Sequence, residues 1–225
     1  MSRAAPASEQ ELLARALVLR GHTLEVVAAE LGRPVPTNAT RAKGWIGELI
    51  EDALGASAGS APEPDFPELG IELKTIPIGP NERVLESTYV CSFAVADART
   101  ETWDRSLVRR KLARVLWIPI VAERNTPLAA RVIGEPRCWS PSVQEQAVLR
   151  ADWQEIIDAV SLGELDMLSS ELGTYLQIRP KAIDGGARTR AHDRDGVPSW
   201  TLPRGFYLRP EFTSQILRQL PVSLA

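Results

Sequence analysis

The stretch PDFPELGIELKTIP, from Pro64 to Pro77, places acids and a lysine beside a short apolar run. Because side chains alternate along a strand, Glu72 and Lys74 are predicted to share one face of it. By strand rise they lie about 7 Å apart. A carboxylate and an ammonium at that spacing form either a surface ion pair or, together with Asp65, part of a nuclease metal site. The rest of the chain has to distinguish these two interpretations.

The bulk composition is that of an ordinary globular protein. The chain has 225 residues, of which 44% are hydrophobic and 24% charged, enough for one large domain or two small lobes. No apolar run reaches the length of a membrane span, and the N-terminus lacks the apolar core of a signal peptide. Its two cysteines have no partner spacing that suggests a disulfide framework or a metal site. We therefore expect a cytoplasmic protein that does not bind membranes.

Charge is distributed unevenly along the chain. The net charge of −3 argues against indiscriminate binding to nucleic acid. Basic residues nevertheless concentrate in 105–114 and 179–209, whereas acids concentrate in 48–72 and 152–171. This pattern suits a protein with one basic face, and it suits solvated helix faces and loops equally well.

The predicted elements mix helices and strands. Ser8 with Glu11 predicts a capping box for a first helix, Thr23 caps a second, and a third follows from Gly44 to Leu54. A long helix is predicted for 142–162 and a closing one for 212–220. Runs rich in β-branched and aromatic residues predict strands within 87–96, 114–122, 131–139, 174–181 and 206–210. We read 183–199 as a polar loop and expect the six tryptophans in the core. The fold class is therefore α/β, of the mixed α+β kind.

The chemistry of phosphodiester hydrolysis favours the metal-site interpretation. A hard cation polarises the phosphate and lowers the pKa of an attacking water, and such cations prefer carboxylate oxygens. Asp65 and Glu72 supply two carboxylates, and Glu51 is the natural third. Lys74 would orient or help to deprotonate the water, or stabilise the developing negative charge. The chain has only two histidines, which weakens histidine-dependent and zinc chemistries.

Four long segments of the sequence are, in chain order, KGWIGELIEDALGASAGSAPEPDFPELGIELKTIPI, VRRKLARVLWIPI, YLQIRPKA and TLPRGFYL. They resemble segments of the MutH family of methyl-directed DNA mismatch repair endonucleases, in the same order and at compatible spacings. The resemblance covers most of the chain. It implies a single 1–225 endonuclease domain with a restriction-endonuclease-like core sheet flanked by helices. Two lobes would form a DNA clamp, with the active site in the cleft between them.

The same resemblance implies an activity and partners. The chain is expected to nick the unmethylated strand of double-stranded DNA at hemimethylated GATC sites during mismatch repair. Mg²⁺ is the expected cofactor, with Mn²⁺ as a substitute. MutL would activate the chain directly and MutS indirectly, at a mismatch. The protein is expected to be a monomer.

The resemblance also assigns roles to residues. The family's metal carboxylates correspond to Asp65 and Glu72, its catalytic lysine to Lys74 and its supporting acid to Glu51. Lys111 matches a lysine placed near the active site and DNA. DNA-reading roles are carried over to three further residues, Arg179, Lys181 and Tyr207. The first two would reach the major groove, where arginine bonds a guanine edge bidentately, and Tyr207 would lie beside the adenine whose methylation is sensed.

Two other functions remain open at this point. A free-standing type II restriction endonuclease of the same specificity would share the fold and cut without MutL. A non-catalytic DNA-binding module would use a degenerate nuclease fold, but the intact acids and lysine argue against it.

Overall fold

The computed structural model describes residues 3–37, 44–79, 83–84, 86–121, 125–164, 168, 172–181 and 188–219. The chain divides into two compact units. The first consists of residues 1–85, 113–140 and 214–225, and the second of 86–112 and 141–213. The prediction of one domain with its active site in a cleft remains a prediction.

Among the described residues, four helices begin within one residue of their predicted starts, the closing helix begins two residues earlier than predicted, and a short helix at 107–112 was not predicted. In chain order these helices are Glu9–Leu19 (α1), Leu24–Glu30 (α2), Trp45–Leu54 (α3), Leu107–Leu112 (α4), Val143–Ser161 (α5) and Pro210–Gln219 (α6). Ser8 accepts a hydrogen bond from the Glu11 N–H at 3.2 Å. A capping box would also need the Ser8 N–H to donate to the Glu11 carboxylate. That carboxylate instead accepts a hydrogen bond from the N–H of the preceding residue, Ala7. The full capping box forms at α5, between Ser142 and Glu145.

The strands lie in three sheets. They are Glu72–Ile78 (β1), Thr88–Phe93 (β2), Val115–Val121 (β3), Val132–Ile133 (β4), Arg137–Trp139 (β5), Leu176–Pro180 (β6), Thr189–His192 (β7), Pro198–Thr201 (β8) and Arg204–Leu208 (β9). Together with the helices they confirm the predicted mixed α and β class.

The sheet of the first unit is built on β3. Strand β1 pairs with it in parallel, from Glu72 opposite Val115 to Ile78 opposite Val121, and β4 and β5 pair with it antiparallel. Parallel strands need a long crossover connection, and 86–112, which belongs to the second unit, supplies most of it. Strand β3 is buried except at Val121, and each of its large apolar side chains contributes about 1.5–3 kcal/mol by burial. The buried strand β3 therefore holds its neighbour β1 in a fixed position.

The second unit contains an antiparallel sheet and a separate ribbon. The sheet order is β2-β9-β6, and β7 pairs only with β8. The prediction of a polar loop over 183–199 is wrong for its later part, because Thr189–His192 and Pro198–Thr201 pair as strands. These two strands were not predicted because their sequence is polar, and a two-stranded ribbon with one exposed face needs few apolar residues. Residues 183–187 lie outside the described ranges.

Five of the six tryptophans are in the core, as expected. Trp45, Trp103, Trp117, Trp139 and Trp153 are at most 6% exposed. Trp200 is 67% exposed, so the expectation is wrong for that residue.

A buried carboxylate fixes the start of β6. Asp152 on α5 is 5% exposed and accepts hydrogen bonds from the backbone N–H groups of Thr174, Tyr175 and Leu176 at 2.8, 2.6 and 2.8 Å. A buried charge is tolerated when it is fully hydrogen-bonded in this way. Strand β6 therefore takes its position from a helix far away in sequence.

None of the helices in the described ranges is both long enough and apolar enough to cross a membrane.

Candidate active site and DNA-recognition face

The loop after α3 brings Asp65 close to that helix. Gly55 ends α3 with a positive φ of 85°, and a Cβ there would lie 2.5 Å from the Ala4 carbonyl oxygen, so only glycine fits. Beyond the turn, the N–H groups of Ser57 and Ala58 donate to the Asp65 carbonyl at 3.1 and 3.3 Å. The segment of small residues that follows α3 is thus tied to the backbone of the first candidate metal ligand.

Asp65 is oriented by β1 itself. Its Oδ2 accepts a hydrogen bond from the Leu73 N–H at 2.8 Å. The chain between them turns through a short 3₁₀ helix at Pro67–Leu69, closed by a bridge between Phe66 and Ile71. One oxygen is thereby held by the backbone, which fixes the direction of the carboxylate.

Glu72 and Lys74 lie on one face of β1 and form an ion pair, as their spacing predicts. The pair is not on the surface: the Glu72 side chain is 1% exposed and that of Lys74 is 14% exposed. Moving a charge pair out of water costs several kcal/mol per ion unless other interactions compensate it. A surface ion pair therefore does not describe this site, and a functional reason for the burial is favoured.

Glu51 completes the cluster from the last turn of α3. Its pKa is raised to about 7, mainly by burial and also by the negative charge of Asp65, while Lys74 acts in the opposite direction. Glu72 also raises it. These four side chains therefore interact electrostatically, and we call Glu51, Asp65, Glu72 and Lys74 the carboxylate cluster.

The cluster has the donor set that a hard divalent cation prefers. Three carboxylates oppose one ammonium, and the negative charge of Asp65 adds to burial in raising the pKa of Glu51; a hard cation prefers such carboxylate oxygens. Within the described ranges no three acidic, histidine or cysteine side chains are already arranged to enclose a metal ion. The metal assignment therefore rests on the two carboxylates of Asp65 and Glu72.

The second unit presents the three predicted DNA-reading residues together. Arg179 is exposed on β6, and its guanidinium carbon lies 5.8 Å from the centre of the Tyr207 ring on β9. Lys181 follows β6 and donates to the Tyr89 hydroxyl at 2.7 Å and to Ser92 Oγ at 3.1 Å. We call Arg179, Lys181, Tyr207 and Tyr89 the recognition face.

Tyr89 is a part of this face that was not predicted from the sequence, and Gly205, also not predicted, lies next to it. The Tyr89 and Tyr207 rings meet edge to face with centroids 5.3 Å apart. A Cβ at Gly205 would lie 3.0 Å from both the Cys91 carbonyl oxygen and the Tyr89 ring, so glycine makes room for the ring pair. The available signal was the alternation along β2, which directs Tyr89 away from the core side of Val90.

The hydroxyl of Tyr207 is protonated at neutral pH. Burial raises its pKa, and Tyr89 raises it further, whereas Lys181 and Arg179 act in the opposite direction. A neutral hydroxyl both donates and accepts hydrogen bonds, which suits contact with the polar edge of a base.

Lys111 lies in the last turn of α4 and is half-buried. It belongs to the second unit, whereas the carboxylate cluster belongs to the first. Its predicted place near the active site and DNA remains a prediction.

Comparison with known proteins identifies the family. The family model described as "MutH: DNA mismatch repair enzyme MutH" matches residues 54–152. The curated relatives named "DNA mismatch repair protein MutH" include those of Vibrio cholerae serotype O1 strain O395, 48% identical over 96% of this chain and 97% of the relative, and of Shewanella amazonensis, 50% identical over 95% and 96%. That of Escherichia coli O6:K15:H31 is 50% identical over 94% of this chain and 93% of its own length. At this identity over nearly the whole length, the chain belongs to the MutH family of DNA mismatch repair enzymes and is a DNA endonuclease with a restriction-endonuclease-like fold.

Proposed function

We propose that the chain nicks the unmethylated strand at hemimethylated GATC sites, with Mg²⁺ as cofactor and Mn²⁺ as a substitute. The observation that carries the proposal is the burial of Glu72 and Lys74 beside the backbone-anchored Asp65, in a chain about half identical to its MutH relatives. A nuclease site of this composition is used for hydrolysis at a metal-bound phosphate.

Asp65 and Glu72 would hold the cation, which supplies charge stabilisation to the phosphate and acidity to the attacking water. Asp65 keeps Oδ1 for this purpose because its Oδ2 is directed by the Leu73 N–H. Lys74 lies beside Glu72 and stabilises the negative charge that develops on the phosphate. Glu51, with its pKa of about 7, is suited to accept a proton from the water near neutral pH.

The recognition face would select the site. Arg179 reads a guanine edge, Lys181 adds a second cation at the major groove, and Tyr207 lies next to the adenine. Lys111 would contribute a phosphate contact near the cleavage point. As the family resemblance implies, a single 1–225 domain would clamp the duplex with two lobes.

MutL would activate this reaction after MutS has responded to a mismatch. We propose that the protein acts as a monomer in the cytoplasm, the compartment that holds DNA in the bacteria of its relatives. A restriction enzyme of the same specificity would cut at full rate without MutL and would cleave both strands of unmethylated DNA.

The test is a strand-resolved nicking assay on unmethylated, hemimethylated and fully methylated GATC duplexes, with and without MutL and in Mg²⁺. We expect MutL-stimulated nicking of the unmethylated strand and no cleavage of the fully methylated duplex. Rapid double-strand cleavage that does not respond to MutL would favour the restriction-enzyme alternative. Absence of any cleavage, with DNA binding intact, would favour the non-catalytic module.

A further inference from the structure

The ribbon of Thr189–His192 and Pro198–Thr201, which we call the β7–β8 ribbon, has one buried and one exposed face. Side chains alternate along each strand, so Ala191 is 1% exposed while its neighbour Arg190 points outward and is exposed. Trp200 lies directly opposite Arg190 in the register. The outer face thus presents an arginine and a tryptophan as one cross-strand pair.

Packing holds this ribbon in place within the second unit. Strand β7 packs against the 3₁₀ helix Val95–Thr100. Its turn lies against Gly163, where a Cβ would come within 2.3 Å of the Asp193 carbonyl carbon. Asp193 Oδ1 accepts hydrogen bonds from the N–H groups of Asp195 and Val197 at 3.0 and 2.8 Å. The outward direction of the pair is therefore set by a formed structure on the other side.

Among the described residues, we find no structural role for the Arg190–Trp200 pair on the outer face of the ribbon. Arg190 has no hydrogen-bond or ion-pair partner among the described residues, and Trp200 is 67% exposed although the other tryptophans are at most 6% exposed. An exposed indole beside an exposed guanidinium matches a ligand that offers both flat apolar surface and negative charge.

The position of the ribbon in the chain, between two strands of the recognition face, favours DNA as that ligand. The ribbon is inserted between β6, which carries Arg179, and β9, which carries Tyr207. The Lys181 N–H donates to the Pro203 carbonyl at 2.7 Å and closes the base of this insertion. The ribbon is a separate two-stranded sheet that the chain inserts between the two strands carrying the recognition face.

The charge of the two ribbon strands also fits DNA as the ligand. The ribbon strands TRAH and PSWT contain no acid, and the acids Asp193 and Asp195 are confined to the turn. A two-stranded ribbon is also one of the elements that fits a DNA groove.

We propose that Arg190 and Trp200 form an additional DNA contact, in which Arg190 binds a backbone phosphate and the Trp200 indole packs on an adjacent sugar or base. This inference rests on the proposed function and extends it beyond the recognition face. The contact is to the backbone and to ring faces, so it supports affinity for any duplex and leaves sequence choice to the recognition face.

The test measures duplex affinity by fluorescence anisotropy over a range of salt, without divalent metal, on duplexes with and without GATC. Arg190→Ala should lower the slope of log affinity against log salt by about one. Trp200→Ala should weaken binding about three- to tenfold on both duplexes. Arg150→Ala and Leu162→Ala are matched controls, because both residues are exposed in the same unit. Thermal melting should show that all four variants are folded.

Acrylamide quenching of tryptophan fluorescence gives an independent measurement. DNA should protect the wild-type protein from quenching and should protect Trp200→Ala less. Affinities and salt slopes equal to those of the controls would overturn the inference and leave the proposed function standing. Loss of MutL-stimulated nicking with unchanged DNA affinity would identify the ribbon as a protein-docking face and would also overturn it. A wild-type protein that binds no duplex would overturn the proposed function itself.

Discussion

The carboxylate cluster of the first unit and the recognition face of the second hold their side chains in different ways. In the cluster, Asp65 accepts a backbone N–H and Glu72 is buried against Lys74. In the recognition face, Lys181 is held by the hydroxyls of Tyr89 and Ser92. The first arrangement is fixed by the sheet and the second by side chains that can rotate.

This difference teaches what each region can do. Groups fixed before the substrate arrives lose no reorganisation energy during the reaction, which is the requirement for transition-state stabilisation. Side chains held by neutral hydroxyls can exchange those partners for base edges and phosphates at small cost. Substitutions in the cluster should therefore change the rate, and substitutions in the recognition face should change affinity and specificity.

The largest effect should come from the metal carboxylates. Asp65→Ala or Glu72→Ala should lower the rate of nicking in Mg²⁺ by at least about 1,000-fold, a loss of several kcal/mol of transition-state stabilisation. DNA affinity should remain close to wild type, and Glu68→Ala, an exposed acid in the adjacent turn, should be neutral. Single-turnover nicking and anisotropy give the two numbers. Substantial Mg²⁺-dependent nicking by Asp65→Ala would remove it from the site.

Lys74 belongs to the carboxylate cluster and Lys181 to the recognition face. Replacing each lysine in turn therefore tests whether the two regions differ in their effects on rate and on affinity. Lys74→Ala should lower the turnover rate by about 10²–10⁴-fold with little change in affinity. Lys181→Ala should mainly weaken binding. Lys74→Arg should rescue poorly, since a planar fork does not replace a compact ammonium. A wild-type rate for Lys74→Ala would reduce the buried pair to a structural feature.

Arg179 tests base reading against phosphate binding. Arg179→Ala should cost about 1–3 kcal/mol on the GATC site and narrow the difference from altered sites. Arg150→Ala, on the exposed side of α5, is the control. The measurement is the ratio of nicking rates on cognate and altered duplexes. Equal weakening on all sequences would assign Arg179 to the phosphate backbone instead.

Tyr207 should affect methyl discrimination and little else. Tyr207→Ala removes the ring that we propose lies beside the adenine, and it should lower the preference for the unmethylated strand by about tenfold or less. Tyr207→Phe keeps the ring and its contact with Tyr89, so it separates the hydroxyl from the steric contribution. The ratio of nicking on the two strands of hemimethylated DNA is measured. An unchanged ratio in Tyr207→Ala would place methyl sensing elsewhere.

The smallest effect concerns the pH dependence of stability. The pKa of Glu51 is about 7 in the folded protein, above its ordinary value of 4.5, because of burial. Between these values the folded state binds more protons than the unfolded state, so the stability from Glu51 falls as pH rises from about 4.5 to about 7. Glu51→Gln should therefore raise the melting temperature at pH 8 more than at pH 5, measured without metal.

The exposed Glu155→Gln on α5 is the control for that measurement. Equal shifts for Glu51→Gln at the two pH values would show that Glu51 does not keep its proton in the folded state.

The sequence predicted those parts of the site that depend on local pattern. The alternation along a strand placed Glu72 and Lys74 on one face, and start signals located α1, α2, α3 and α5, because both kinds of signal act over a few residues. The burial of the Glu72–Lys74 pair could not be predicted, since it depends on the sheet that β1 forms with the later strand β3 and on the packing of α3 against β1.

The recognition face shows the same limit more strongly. Arg179, Lys181 and Tyr207 were assigned by the family resemblance alone. Tyr89 meets Lys181 across 92 residues of chain, and no local pattern indicates that pairing. Trp200 was assigned to the core on residue type, which does not report the exposed side of a two-stranded ribbon.

The three hydrogen bonds that Asp152 accepts from the backbone of 174–176 have a consequence for variation in chain length. They fix the entry to β6 whatever path the preceding connection takes from the end of α5. The entropy of closing a flexible loop grows slowly, by about 0.6 kcal/mol for each doubling of its length. Short insertions between Gly163 and Leu172 should therefore leave the register of β6 unchanged as long as Asp152 and the buried Leu168 are kept. The Asp152 carboxylate thus makes the register of β6, the strand that carries Arg179, independent of the length of the segment before it.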